Sequence, residues 1–494
     1  MSILVIDCGT SSCRVVEYSV IDRRRIREWR AAVAPSVFID GEVEVESIWQ
    51  MAARLIREAS QESPGRIDAV GAASFLAYVF LDRDQQVIAP ATTWMDHRAG
   101  NEASILLNRL TPGLCHRACG RIPTSELLLP KLMRLGRRNP GLLARVRRVV
   151  GLKDEMVRRL GGTVGTDYAH ADYSLGWETG CAAPFTEAWE AAGVSRSLLP
   201  EPEPASARAG TVSAEAAELT GLRAGTPIAR GTTDGTSAMY GGGVFDPAFG
   251  VLVSGTTDVL MCHVPDGAPV EGLSLTVNTA MAGDGTLTGG AMGLSGGALA
   301  WISQLTGRPV DELESMAAAV AAGSEGLRMI PSLTGERAPF WQEEVKGALL
   351  NLDLNHTPGH LARACMEGAA ARARLLMDEM KASGLPLSAV TVGGGSSGSL
   401  LWNRIRADAL QVPLHPARDK EMTARGIALF CALMLEGSAG RSESLTALTR
   451  DWVHRDAPVT PDPSFAGLYQ DMAEEYRMYV KNRLKPRRPR GGEP

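Results

Sequence analysis

The chain has 494 residues, with 51 Lys and Arg against 56 Asp and Glu and a formal charge of −5. That balance carries no polyanion-binding signature, so nucleic acid is not an expected partner. No apolar run approaches the ~20 residues needed to span a bilayer, so no membrane is expected either.

A single core rarely exceeds ~250–300 residues, so two domains are expected: 1–245 and 246–482, followed by a basic Pro/Arg tail at 483–494 that reads as disordered. The amino terminus opens directly on a strand pattern, with no basic leader or cleavage site, which predicts a cytoplasmic protein. Residues 3–7 are an apolar run ending in Asp7, and Gly9-Thr10-Ser11-Ser12 separates them from a second β-rich run, 13–20. Apolar, turn, apolar predicts a hairpin. The Arg-dense stretch 23–30 continues as an exposed strand, Ile48–Ala59 has helical spacing, and Ile67–Leu81 reads as strand, turn, strand. Residues 124–160 read as two or three helical pieces, broken at Asn139-Pro140, and 201–210 as a Pro/Ala surface connector. A strand ending near Gly231 leads through a Gly-rich turn into a small-residue helix.

The pattern then restarts. Strands at 250–254 and 259–263 flank Gly255-Thr256-Thr257-Asp258, echoing the first hairpin and suggesting a duplicated fold. Helices follow at 295–306, 357–383 and 399–411, with a strand at 388–392 and a Gly-rich turn at 393–398. The apolar stretch Ile427–Leu435 reads as a buried helix.

Several segments could carry chemistry. In the first hairpin, Gly9 lets the backbone approach a ligand, and Thr10, Ser11 and Ser12 offer donors to phosphate oxygens. Asp7, at the strand end, could hold Mg²⁺. The Gly255-Thr256-Thr257 turn offers the same chemistry. Gly393-Gly394-Gly395-Ser396, between a strand and a helix, leaves room for a nucleobase and ribose. Asp234, in Gly231-Thr232-Thr233-Asp234-Gly235, is either the cap of the following helix or a base for a hydroxyl. No Gly-Lys pair exists, so there is no P-loop lysine. Ser295 and Ser396 each sit in a GxSxG pattern, but no later His has the context that a serine hydrolase needs. The eight cysteines are scattered and mostly apolar in context, so they are expected as reduced core residues; Cys115 and Cys119 could share a helix face, but nothing completes a zinc set.

Together these segments resemble the FGGY carbohydrate kinases, over roughly residues 1–440. Beside the two hairpins and the triple-glycine loop stand Trp94-Met95-Asp96-His97-Arg98, which resembles a Trp-x-Asp-x-Arg sugar-site segment, and Lys153-Asp154 and Thr166-Asp167-Tyr168. Gly335-Glu336-Arg337-Ala338-Pro339 resembles the Gly-Glu-Arg-x-Pro signature of the xylulose and gluconate kinase branches, and Leu401-Trp402-Asn403 follows the adenosine motif. The resemblance implies an α/β protein of two ribonuclease H-like domains, of the actin and hexokinase type, around a cleft. It implies ATP and Mg²⁺, a sugar bound by Trp94, Asp96 and Arg98, and Asp234 as the base. Thr10, Ser11, Ser12, Gly255, Thr256 and Thr257 would cradle phosphates, Gly394, Gly395, Ser396 and Asn403 would border the adenosine, and Asp7 would place the metal. A homodimer is common among such relatives.

The chain departs from the pattern at Ser74-Phe75-Leu76, where many relatives carry Gln-Met-His, at Gly235, at Thr257 and over Glu421–Gly426. The reaction is therefore better specified than the sugar. Two alternatives stand beside a ketose or polyol kinase: a kinase for an acid sugar such as gluconate, favoured if Arg98 or Arg337 nears the pocket, and an actin- or chaperone-like ATPase or nucleotide-binding regulator without sugar turnover.

Overall fold

The computed structural model describes residues 1–483 apart from 64–65, 182, 247–248, 266–272, 282–284, 386 and 438–441. The tail expected over 483–494 lies, beyond Arg483, outside the described residues.

Two large sheets organise the chain. The first contains β1 (Ser2–Cys8), β2 (Ser12–Ser19), β3 (Arg24–Ala32), β4 (Ile67–Ser74), β5 (Arg208–Thr211), β6 (Pro227–Ala229) and β7 (Thr232–Thr233). Its order is β5-β6-β4-β1-β2-β3, with β7 also on β4. The second contains β8 (Phe249–Ser254), β9 (Thr257–Val264), β10 (Thr276–Thr279), β11 (Thr286–Leu294), β12 (Ala389–Gly393) and β13 (Leu414–Pro416), in the order β10-β11-β9-β8-β12-β13. In each, an antiparallel hairpin opens the sheet and its first strand pairs in parallel with a later one: β1 with β4, β8 with β12. This repeated order is the ribonuclease H-like arrangement, present twice.

The central strands β1, β2 and β4 are buried on both faces, whereas β3 at the sheet edge is Arg-rich and largely exposed. On the first sheet, α1 (Val45–Glu62) turns Ile48, Ala52, Leu55, Ile56 and Ala59 inward at helical spacing, against Leu4 and Ile6 of β1 and Val15 of β2. The site is positioned by α2 (Leu152–Leu160), α3 (Tyr168–Ser174) and α4 (Asp234–Gly241), with α5 (Pro358–Ala382), α6 (Leu400–Leu410) and α7 (Met422–Leu435) from the second half. Helix α7 follows the second sheet in the chain but packs on the first: Ile427 and Cys431 lie directly over Gly71 of β4. It also crosses α4 with backbones almost touching. A Cβ on Gly241 would fall 1.9 Å from the Met422 carbonyl, and one on Gly426 2.0 Å from that of Ser237. Only glycines permit that crossing, and it seats Thr423 beside Asp234.

Two segments differ from their sequence reading. The helical run over 124–160 is interrupted by a strand, Arg148–Gly151, whose Val149 and Val150 pair with Phe80 and Val79 in a smaller sheet. The connector 201–210 contains Pro202–Glu203 and the start of β5, because Ala209 is buried in the core and Pro202 opens its strand, where no donor is needed. The eight cysteines are free thiols, all buried except Cys181. Among the described residues no helix is long and apolar enough to cross a membrane.

Candidate active site

Asp7 and Asp234 come together from β1 and the first turn of α4. Asp7 is buried, its Oδ2 2.9 Å from Arg14 Nη2 across the hairpin. Arg14 also pairs with Glu421, just before α7. Burial pushes the Asp7 carboxyl up to about 7; Arg14 opposes this, while Asp234, Glu421 and Glu28 add to it. Burial likewise raises Asp234, against the Gly235 N–H, His170 and Arg14. Asp234 is not an N-cap: Thr233 holds that position, and Asp234 Oδ1 only accepts from the neighbouring Gly235 N–H at 2.7 Å. Among the described residues no side chain hydrogen-bonds its carboxylate, which leaves it available to a ligand hydroxyl. Carboxylate oxygens suit a hard divalent cation; Oδ2 of Asp7 is taken up by Arg14, so Mg²⁺ would be held by the remaining oxygen or through water.

The nucleotide candidates form two facing groups. Thr10 and Ser11 lie at the surface of the first turn, whereas Ser12 is buried and its carbonyl closes the turn on the Gly9 N–H. Nothing lies within 4 Å of where a Cβ on Gly255 or Gly395 would stand, which is the open space a phosphate tail or nucleoside needs. Thr256 is exposed between Gly255 and Thr257. The Ser396 hydroxyl lies 2.5 Å from that of Ser254 and accepts from Arg406, so the Gly394–Ser396 loop is tied to the second hairpin. Asn403 stands behind this loop: it is 1 % exposed and its Nδ2 holds the Ser397 carbonyl at 2.7 Å, a supporting place rather than a facing one. Ser295 is fully buried and donates to Asp258 at 2.5 Å, which removes it as a hydrolase nucleophile.

A cavity beside Gly235 and Thr236 joins the two halves. Its wall is largely apolar, with Leu127 and Met239 from the first half and Val259, Met261, Leu275 and Trp341 from the second. Its polar groups include Thr124, Glu126, Tyr173, Asn278, Arg121 and Arg337. Arg337 Nη2 meets Glu126 Oε2 at 2.8 Å across the cleft, and Arg121 lies over the Tyr173 ring at 4.3 Å.

Trp94, Asp96 and Arg98 do not line this cavity. The Asp96 carboxylate accepts from Arg98 Nε at 2.7 Å and from the Thr92 hydroxyl at 3.0 Å. Burial would raise it, but these bonds and Lys131 hold it well below the usual carboxylate range. The Trp94 N–H bonds the Leu76 carbonyl. Ser74, Phe75 and Leu76, where the chain departs from the family pattern, are buried and do not line this cavity. Sequence reasoning passed over Arg14, Glu126 and Arg121. Glu421 and Arg337 stood in quoted motifs, yet their partners are 407 and 211 residues away.

With the geometry in place, comparison with known proteins gives the class. Residues 2–241 match the N-terminal domain of the FGGY family of carbohydrate kinases, and residues 250–435 its C-terminal domain. The chain belongs to that family, and it is a carbohydrate kinase. It is 25 % identical over 409 residues to the xylulose kinase of Lactococcus lactis subsp. lactis (strain IL1403), covering 82 % of this chain and 80 % of that one. The ligand-bound xylulose kinase of Lactobacillus acidophilus superposes with a TM-score of 0.88 at 20 % identity, covering 98 % of both chains. The gluconate kinase of the same organism gives 0.87 at 20 % identity, again with 98 % of both covered. These two likenesses carry the fold.

Proposed function

We propose that this enzyme transfers the γ-phosphoryl group of ATP to a hydroxyl of a ketose or polyol, with Asp234 as the base. The observation that carries this reading is the pairing of Asp7 and Asp234: two neighbouring acids, one ion-paired with an arginine, the other, among the described residues, without a side-chain hydrogen bond at the edge of a cavity. A carboxylate whose proton affinity is raised by burial is a better acceptor for a hydroxyl proton. Asp234 orients the hydroxyl and takes its proton as it attacks. Thr10, Ser11 and the Gly255–Thr257 turn donate to phosphate oxygens from opposite sides. Gly395 leaves room for the adenosine, while Gly394, where a Cβ would fall 2.5 Å from the Ser254 carbonyl, lets the loop close on the second hairpin, and Ser396 holds it in register. Asp7 would hold Mg²⁺, which when bound offsets phosphate charge. The cavity beside Gly235 receives the acceptor, and its apolar wall keeps out water, a competing nucleophile. Asp96, Arg98 and Trp94 shape the domain behind the acceptor. ATP as donor fits a cytoplasmic setting.

A second reading has its own support. Arg337 and Arg121 line the cavity; among the described residues Arg121 hydrogen-bonds or stacks only on neutral groups, the Cys119 and Val277 carbonyls, the Asn278 amide and the Tyr173 ring, with the Asp172 carboxylate acting on it from nearby. An acid sugar would find a cation there.

The test is Asp234→Asn, which keeps the size of the side chain. Turnover should fall by ~10²–10⁴-fold with ATP affinity unchanged, since base catalysis contributes about that much and acts in the transition state. Retention of more than about a tenth of turnover removes Asp234 from the role.

A further inference from the structure

Lys153-Asp154 and Thr166-Asp167 have no part in the chemistry above, yet they form a fully buried ion cluster directly behind the turn that leads to Asp234. Lys153 Nζ lies 2.5 Å from Asp154 Oδ1 and 3.0 Å from Asp167 Oδ1. It also donates to the carbonyls of Arg230 and Gly231, 3.1 Å each. Asp167 Oδ2 accepts from the Thr232 hydroxyl at 2.6 Å. Three successive residues, 230, 231 and 232, are thus held by one cluster, two residues before Asp234. Gly231 closes the turn at φ +69°, where a Cβ would fall 2.0 Å from the Ala72 carbonyl, so the segment has no slack on its other side.

The cluster is anchored independently of the turn. Asp154 Oδ2 accepts the Gly151 N–H at 2.9 Å at the start of α2. Asp167 accepts the Ala169 N–H at 3.0 Å and His170 Nδ1 at 2.8 Å at the start of α3. Asp154, Asp167 and His170 have the spacing of metal ligands, but the ammonium of Lys153 already stands against both carboxylates, so the cation of this cluster is the lysine. Burial alone would raise Asp167; Lys153, His170 and Thr232 outweigh it and keep the carboxylate charged. A charged pair is a costly way to fill a core, and apolar residues of the same volume would often pack as well. What the charged pair adds is direction: each bond fixes one backbone or hydroxyl atom of the turn.

We propose that Lys153, acting with Asp167 through the Arg230 and Gly231 carbonyls and the Thr232 hydroxyl, is a positioning residue that sets where Asp234 meets the acceptor. This rests on Asp234 as the base. A displacement of ~1 Å at a reacting group can cost about 10²-fold in rate, which is the scale available to such a device.

The experiment uses the full chain. Thr232→Val removes one hydroxyl with little change of shape, Thr232→Ser restores it, and Lys153→Met removes the cation. Amide hydrogen exchange over residues 230–236 and steady-state kinetics are read together, with Mg-ATP and whichever of D-xylulose, glycerol and D-gluconate most stimulates ADP release. Thr232→Val should exchange those amides about tenfold faster, keep the wild-type melting temperature to within a few degrees, and lower kcat about tenfold with KM for ATP unchanged. Thr232→Ser should return both readings to wild type. Lys153→Met, where it folds, should lower kcat by roughly 10²-fold. Wild-type exchange and kcat in Thr232→Val overturn the proposal, as does a Thr232→Ser variant as impaired as the valine. If Asp234→Asn keeps its turnover, the base reading fails by itself, and the exchange data still decide whether the cluster holds the turn.

Discussion

The hairpins that open the two halves share a topology but not a charge. One pair in from the turn, β1 and β2 set Asp7 opposite Arg14; at the same step, β8 and β9 set Val253 opposite Val259. At the turn itself the first hairpin carries two thiols, Cys8 and Cys13, and the second carries Ser254 opposite Asp258. Asp258 is fully engaged, accepting from Ser254 at 2.6 Å and Ser295 at 2.5 Å, with Arg406 at 3.7 Å. Asp7 has one arginine and no hydrogen bond on Oδ2. Both halves therefore keep an acid beside a glycine turn, but one is hydrogen-bonded into the scaffold by two serines and the other is held by a single ion pair. Two equivalent frames thus carry acids with different partners.

Copying the second hairpin into the first is the strongest way to break this comparison. Asp7→Val should lower kcat/KM by roughly 10²-fold or more in a Mg-ATP assay, by removing a charge that would hold the metal. It should not lower the melting temperature at neutral pH. The folded pKa of about 7 lies above the unfolded value, so what Asp7 adds to stability is present in acid and is lost as pH rises through about 7. Arg14 keeps Glu421 as its partner. The reverse holds for the scaffolding acid: Asp258→Ala strands two serine hydroxyls and should cost about 3 kcal/mol in chemical unfolding, with kcat per folded molecule nearly kept.

Arg14→Gln tests the counter-charge. Arg14 lowers the proton affinity of both Asp7 and Asp234, so its removal should move the acid limb of the pH profile of kcat/KM to higher pH. A loss of roughly tenfold at pH 6 should shrink by pH 8.5. An unshifted limb would mean that neither acid governs the profile. The smallest effect is expected from Val259→Thr, which places a hydroxyl on the apolar cavity wall: acceptor KM should change by no more than ~10-fold, with ATP KM unaffected.

The contrast also explains what could be read from the sequence. The hairpins and the triple-glycine loop are contiguous motifs whose residue types point to phosphate and nucleoside binding, whereas the segment of Asp234 by itself leaves cap and base open and the family resemblance points to the base. The duplication was visible because each half restarts with strand, glycine turn, strand. The partners were not visible: Arg14 finds Glu421, Glu126 finds Arg337, and Lys153 finds carbonyls 77 and 78 residues away, pairings that only packing creates. Asp96 and Arg98 show the opposite case. Their motif reads as a sugar contact, yet two residues of separation allow the pair to satisfy each other, which only the folded geometry reveals. The strand at 208–211 was hidden because pairing with β6 outweighs a loop-like composition.

The most direct measurement is ADP release from Mg-ATP across a panel of ketoses, polyols and aldonic acids. The account predicts strong stimulation by one class of compound and negligible hydrolysis without it; stimulation by an aldonic acid would shift the substrate to the acid-sugar reading around Arg121 and Arg337. Steady hydrolysis independent of every acceptor, or ATP binding with no turnover, would contradict the account and leave an ATPase or a nucleotide-binding regulator in its place.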